Sequence, residues 1–162
     1  MLDLGMPARN IIISRGSARG NLIIALLRYI ETNKGLFPSP CAAISWSPWV
    51  NTTNSAVSAY ERSAKNRTDL VPWHILEWGL GAYPPPSDKS SSEVQAYVSL
   101  AQYPFSTCTP LLFQDMAVIE GNRVKYCETP HAPHGLILCG ILGMVKEMED
   151  VGDVAHEVFQ CW

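Results

Sequence analysis

The residue in this 162-residue chain best placed to do chemistry is Ser17. It lies in residues 10–27, NIIISRGSARGNLIIALL, where Ile11, Ile12 and Ile13 run into small and glycine residues and an apolar pattern spaced for a helix begins at Leu22. That order predicts a strand, a sharp turn and a helix, with the serine at the turn. In such a turn the serine is held in a strained backbone conformation above the carboxyl end of the strand, where the first helical N–H groups can help to hold an oxyanion. Ser17 is therefore a candidate nucleophile. The competing reading is a strand-to-helix turn that carries an ordinary serine.

The elements that must position such a serine follow in order. After a helix over 22–31, ended by Asn33, Lys34 and Gly35, the nearly all-apolar run 41–46 predicts a second strand covered on both faces, as in a parallel sheet. Strand, helix and strand form one right-handed βαβ unit. Residues 52–101 carry no strand pattern but hold Tyr60, Trp73, Trp78, Tyr83 and Tyr97, and 73–83 reads as a short helix over the site entrance. Further strands are expected at 111–114 and 123–127. Only eight residues, 115–122, join them, fewer than the dozen or so of a usual parallel crossover. Either these two strands pair antiparallel or a loop and most of a helix have been lost. A last amphipathic helix is expected over 144–159.

Composition narrows the function classes. An apolar content of 47% suits one globular α/β domain, and a net charge of −3 without a basic run gives no footprint for nucleic acid or an anionic membrane surface. The five cysteines are odd in number and scattered, with no C-x-x-C pair, so neither a disulfide framework nor a zinc site is indicated. His74 and His156 lack a helical partner at i+3 or i+4 that would make a metal pair. No run is long enough to span a membrane and no leader is visible, which makes the cytoplasm the default compartment. Asn51 and Asn66 match the glycosylation pattern, which matters only on a secretory route.

The motifs resemble the α/β-hydrolase fold, and more narrowly the hormone-sensitive-lipase-like esterases and the steryl-acetate and arylacetamide deacetylases. The elbow GDSAGGNL of that family, followed by an ALLRY-like helix, is matched by residues 15–22 and by Ala25-Leu26-Leu27-Arg28-Tyr29. Ser47-Pro48-Trp49 matches a loop that commonly reads SPW, and Ala132-Pro133-His134-Gly135 lies close to the turn APHD. The resemblance implies a partial α/β-hydrolase fold of about four mainly parallel strands flanked by helices. It would form a single truncated domain over 1–162, with a lid or pocket-bordering insertion at about 47–108. It further implies Ser17 as nucleophile, His134 as base, Asp115 as substitute acid and the Ala18 backbone N–H as an oxyanion donor, with Trp49, Trp73 and Trp78 bordering the pocket. The substrate would be a small-molecule, short-acyl ester, with no cofactor and no metal. His131, three residues before His134, reads as a loop residue.

Four departures accompany the resemblance. Arg15 and Arg19 stand where the family has glycines, so their side chains must swing outward or open the turn. Gly135 replaces an aspartate, the connection at 115–122 is short, and no stretch matches the family's HGGG-type oxyanion loop. The expectation is the C-terminal half of the fold with weak or lost hydrolysis. The alternatives are an inactive remnant serving as a binding or interaction module, or a gene-modelling artefact that omits a start and an internal exon. The first strand, interior in the family, would be an exposed edge open to self-association.

Overall fold

The computed structural model describes residues 5–67, 69–82 and 91–109, and the backbone of 111–114 and 124–127. Its sheet contains β1 (Ile12–Gly16), β2 (Ala42–Trp46), β3 (Leu111–Gln114) and β4 (Val124–Cys127) in the order β1-β2-β3-β4, with every neighbouring pair parallel. The fold is α/β, as the sequence predicts. Parallel pairing of β3 with β4 excludes the antiparallel alternative.

The first strand begins at Ile12, the second of the three isoleucines. Ala8–Asn10 form a 3-10 turn, and the regular ladder starts where Ile12 stands opposite Ala42 and runs to Gly16 opposite Trp46. Among the described residues β1 pairs with β2 alone and so lies at one edge of the described sheet, with Ile12 exposed. β2 is an interior strand: Ala42, Ala43, Ile44 and Ser45 are all buried, because both faces of this strand are covered.

The helix α1 (Ser17–Thr32) starts at the turn itself, five residues earlier than the apolar pattern suggested. Its first turn, Ser17-Ala18-Arg19-Gly20, is small and polar, so hydrophobic periodicity could not register it. Ile23, Ile24, Leu27 and Ile30 form the stripe that packs on the sheet, and with Ala43, Val50 and Leu100 they make up most of the described core. Leu22, Leu26 and Tyr29 remain exposed on the same helix.

Between β2 and β3 the chain is helical. It forms α2 (Asn54–Glu61), a 3-10 turn (Ala64–Arg67), α3 (Trp73–Ala82), α4 (Ser92–Val98) and a second 3-10 turn (Leu100–Gln102). Side-chain oxygens start two of these helices: Thr53 accepts from the Ala56 N–H and Ser91 from the Val94 N–H. The Tyr60 hydroxyl donates to the Val71 carbonyl at 3.1 Å, which ties α2 to the segment leading into α3. Burial, and then Asp69 beside it, pushes the Tyr60 phenol well above its ordinary range.

The return segment 103–109 is held against α1 by two charged side chains. The Arg28 guanidinium donates to the Tyr103 carbonyl and lies over the rings of Phe105 and Tyr97, at 4.6 and 5.9 Å. The Cys108 N–H donates to the Glu31 carboxylate at 2.8 Å, and Lys34 pairs with the same carboxylate at 3.3 Å. Among the described residues, no helix is long and apolar enough to cross a membrane.

Candidate active site

Ser17 has φ +53°, in the left-handed region that non-glycine residues rarely adopt. It directly follows Gly16, the last residue of β1, and is the first residue of α1. The strand-turn-helix elbow is thus present with its strain. Arg15 and Arg19 are both exposed, so neither cation is buried in the turn, and Arg19 borders the cavity beside Ser17.

The close approach that such a turn requires is made one residue beyond Arg19. A Cβ on Gly20 would lie 2.6 Å from the Ser45 Oγ and 2.9 Å from the Pro48 Cβ, so α1 packs against β2 and the following loop only because Gly20 has no side chain. A Cβ on Gly16 would meet the Trp46 carbonyl at 3.2 Å. Glycines at these two places do the work that the sequence argument looked for at positions 15 and 19.

The loop after β2 contains a second strained residue, Ser47, with φ +41° and almost no exposure. From there the chain turns back over the elbow. The Trp49 N–H donates to the Ser17 carbonyl at 3.1 Å, and the Asn21 carboxamide donates to the Trp49 carbonyl at 2.8 Å and to the Val98 carbonyl at 2.8 Å. Further along, the Ala101 N–H donates to the Val50 carbonyl at 3.1 Å and the Thr52 N–H to the Ser99 hydroxyl at 3.2 Å. These bonds join the elbow, the loop after β2 and the end of α4.

They form one side of an open cavity of about 800 Å³. Ser17, Ala18 and Asn21 form the side nearest the sheet, Trp49 stands on the loop side, and Ile75 and Trp78 of α3 face them. Most of the lining is apolar, as in small-molecule sites generally. Trp49 reaches α3 directly: a Cβ on Gly79 would sit 3.1 Å from its ring. Trp78, 71% exposed, stands where the cavity meets solvent.

Of the residues singled out in the sequence, Ser17, Ala18, Trp49 and Trp78 are brought together around this cavity. Trp73 is not among its lining residues; it opens α3, donates its backbone N–H to the Asn66 Oδ1 at 3.1 Å and meets His74 edge-on. His74 is exposed. Asp115, His131, His134, Gly135, His156 and the expected helix over 144–159 lie outside the described residues. Sequence reasoning passed over Gly20 and Asn21. The available signal was Asn21 itself, a polar residue three positions before Ile24 and six before Leu27, on the face of α1 that had to be buried.

The sequence pattern that defines the steryl acetyl hydrolases matches residues 1–114. The chain belongs to the steryl acetyl hydrolase family. In this family member the match takes in the elbow, the loop with Trp49 and the whole helical segment from α2 to α4. No curated protein matches it. Among solved structures, EstE5 soaked with ethyl alcohol is similar with a TM-score of 0.70 at 19% identity, over 93% of this chain and 52% of that one. An esterase from the bacterial hormone-sensitive lipase family gives 0.63 at 18%, over 93% and 52%, and vibralactone cyclase 0.65 at 14%, over 95% and 50%. At these identities the likeness shows the fold, which is the α/β-hydrolase fold. The chain spans about half the length of these structures.

Proposed function

We propose that this chain carries the nucleophile side of a carboxylic ester hydrolase that acts on a short-acyl ester of an apolar alcohol through an acyl-serine on Ser17. The observation that carries the reading is Ser17 itself, a non-glycine residue strained to φ +53° between a parallel strand and its helix, in the wall of an apolar cavity of about 800 Å³. Strain of this kind is kept where the surrounding fold enforces it, and functional turns are a common setting. The cavity has room for a bulky alcohol, which agrees with the steryl acetates named for the family.

In this mechanism the Ser17 hydroxyl attacks the acyl carbon while His134 takes its proton, Asp115 fixes the histidine tautomer, and the Ala18 N–H donates to the developing oxyanion. Collapse expels the alcohol, protonated by His134, and water then repeats the sequence to release the acid. Trp49 and Trp78 border the alcohol and acyl sides, with Trp73 supporting α3 from its start. The segment at about 47–108 acts as the lid of the single domain.

With the Ala18 N–H as the one assigned donor, hydrolysis by the isolated chain is weak, since each missing oxyanion donor costs a factor of about 10²–10³. Arg15 and Arg19, cationic and exposed beside the nucleophile, favour a second reading, an inactive hydrolase remnant that binds apolar ligands or a partner. Hydrolysis of 1-naphthyl acetate by the wild type, Ser17→Ala and His134→Ala separates the two. Slow turnover abolished by both substitutions supports the esterase. Equal background rates in all three proteins, with 1-naphthol still bound, support the remnant.

A further inference from the structure

We infer that Asn21 is a positioning residue whose side chain holds the shape of the cavity and so selects which ligands fit beside Ser17; the selectivity for esters rests on the proposed function, whereas the clamp does not. Asn21 is 8% exposed and projects from the first turns of α1. A carboxamide nitrogen has two protons to give, and both are used, one on the Trp49 carbonyl and one on the Val98 carbonyl, each at 2.8 Å. Because both partners are carbonyl oxygens, the nitrogen must face them, and the orientation of the amide is set by chemistry.

The two bonds span 28 and 77 residues of sequence, so a single side chain joins the nucleophile helix to the loop after β2 and to the end of α4. Trp49 is thereby gripped on both sides: its N–H by the Ser17 carbonyl and its C=O by Asn21. Its indole, fixed from behind, stands in the cavity wall against Gly79 of α3. Val98 lines the same cavity from α4. Asn21 thus sets the distance between two walls without belonging to the reacting groups. Removal of its donors would leave two carbonyls to find new partners and free both walls to shift.

The test uses the full chain with 1-naphthol as probe, its binding followed by quenching of tryptophan fluorescence. Asn21→Asp keeps the shape but replaces the donors with a carboxylate facing two carbonyls, and Asn21→Ala removes the side chain. Both should weaken 1-naphthol binding by about ten-fold or more, the equivalent of one lost hydrogen bond, while far-UV circular dichroism is kept. In turnover, KM for 1-naphthyl acetate should rise by the same factor and KM for the smaller ethyl acetate much less. Unchanged 1-naphthol affinity in both folded variants would overturn the inference. In the wild type, the Asn21 side-chain amide protons should exchange slowly with solvent, and exchange at the rate of a free carboxamide would overturn it without any variant. Absence of turnover in every protein contradicts the hydrolase reading alone, because the binding and exchange measurements do not depend on Ser17.

Discussion

Replacing Gly20 with alanine tests how the elbow is packed. The new Cβ would sit 2.6 Å from the Ser45 Oγ, 2.9 Å from the Pro48 Cβ and 3.2 Å from the Pro48 Cα. Two of these atoms belong to a proline on a short buried loop and cannot swing aside as the end of a flexible side chain would. Overpacking of this kind costs about 1–3 kcal/mol. Alanine is also the better helix former by about 0.5–1 kcal/mol. With contacts of 2.6 and 2.9 Å the upper part of that range applies, about 2–3 kcal/mol, so the steric term wins and the net loss is about 1–2.5 kcal/mol, or a fall in Tm of about 2–10 °C for a chain of this length. Ser45→Ala supplies the internal check, since the Ser45 Oγ is buried without a hydrogen-bond partner among the described residues and its removal carries little penalty. In the double variant the 2.6 Å clash disappears and the Pro48 contacts remain, so part of the stability should return. Gly81→Ala, in α3 with nothing within 4 Å of the added Cβ, should leave stability unchanged or raise it. Thermal melts of the wild type and these four variants decide the matter: a Gly20→Ala variant as stable as the wild type would refute the claim that this glycine sets the approach of α1 to β2.

Gly79→Ala should press the Trp49 ring inward and weaken 1-naphthol binding by about two- to ten-fold, and unchanged fluorescence titrations would count against a wall built on that contact. We propose that β1, which among the described residues pairs only with β2 and exposes Ile12, associates with a second copy; Ile12→Lys should then shift sedimentation toward monomer at high concentration, and a wild type that is monomeric throughout would contradict this. Burial alone would raise the Glu31 carboxyl, yet hydrogen bonds from the Cys108 N–H and Thr107 and the Lys34 ammonium together hold it below its ordinary 4.5. A depressed folded-state pKa means that its stabilisation is present above pH 4.5 and is lost as pH falls through the folded value. Urea titrations should accordingly show wild type more stable than Glu31→Gln at pH 7 and the gap shrinking as pH is lowered below 4.5, with a gap that does not change with pH refuting the linkage.

Much of the fold was legible because its signals are local. Ile11 to Ile13 and the run at 41–46 announce parallel strands, and the helix between them shows its buried stripe at Ile23, Ile24, Leu27 and Ile30. Element ends were less legible. Ser17 to Gly20 belong to α1 but bury almost no apolar side chain, so no periodicity marks them. The elbow serine could be read from residue types alone, since small residues between a strand and a helix imply a tight turn. Its supports could not, because the partners of Gly20 and Asn21 lie 25 to 77 residues away and are brought near only by the sheet and the folded helical segment. The aromatic residues divide in the same way. Composition could mark Trp49, Trp73 and Trp78 together, but it takes the register of α3 to turn Trp78 toward the cavity and leave Trp73 at the helix start.

The central claim is that Ser17 is a nucleophile held at a strained turn beside an apolar cavity. Incubation of the full chain with a serine-directed fluorophosphonate, followed by peptide mass mapping, tests it most directly. The account predicts one adduct on the peptide containing Ser17, slowed by 1-naphthol and absent from Ser17→Ala; a wild type that stays unlabelled, or an adduct on Ser47 with Ser17 unmodified, would contradict it.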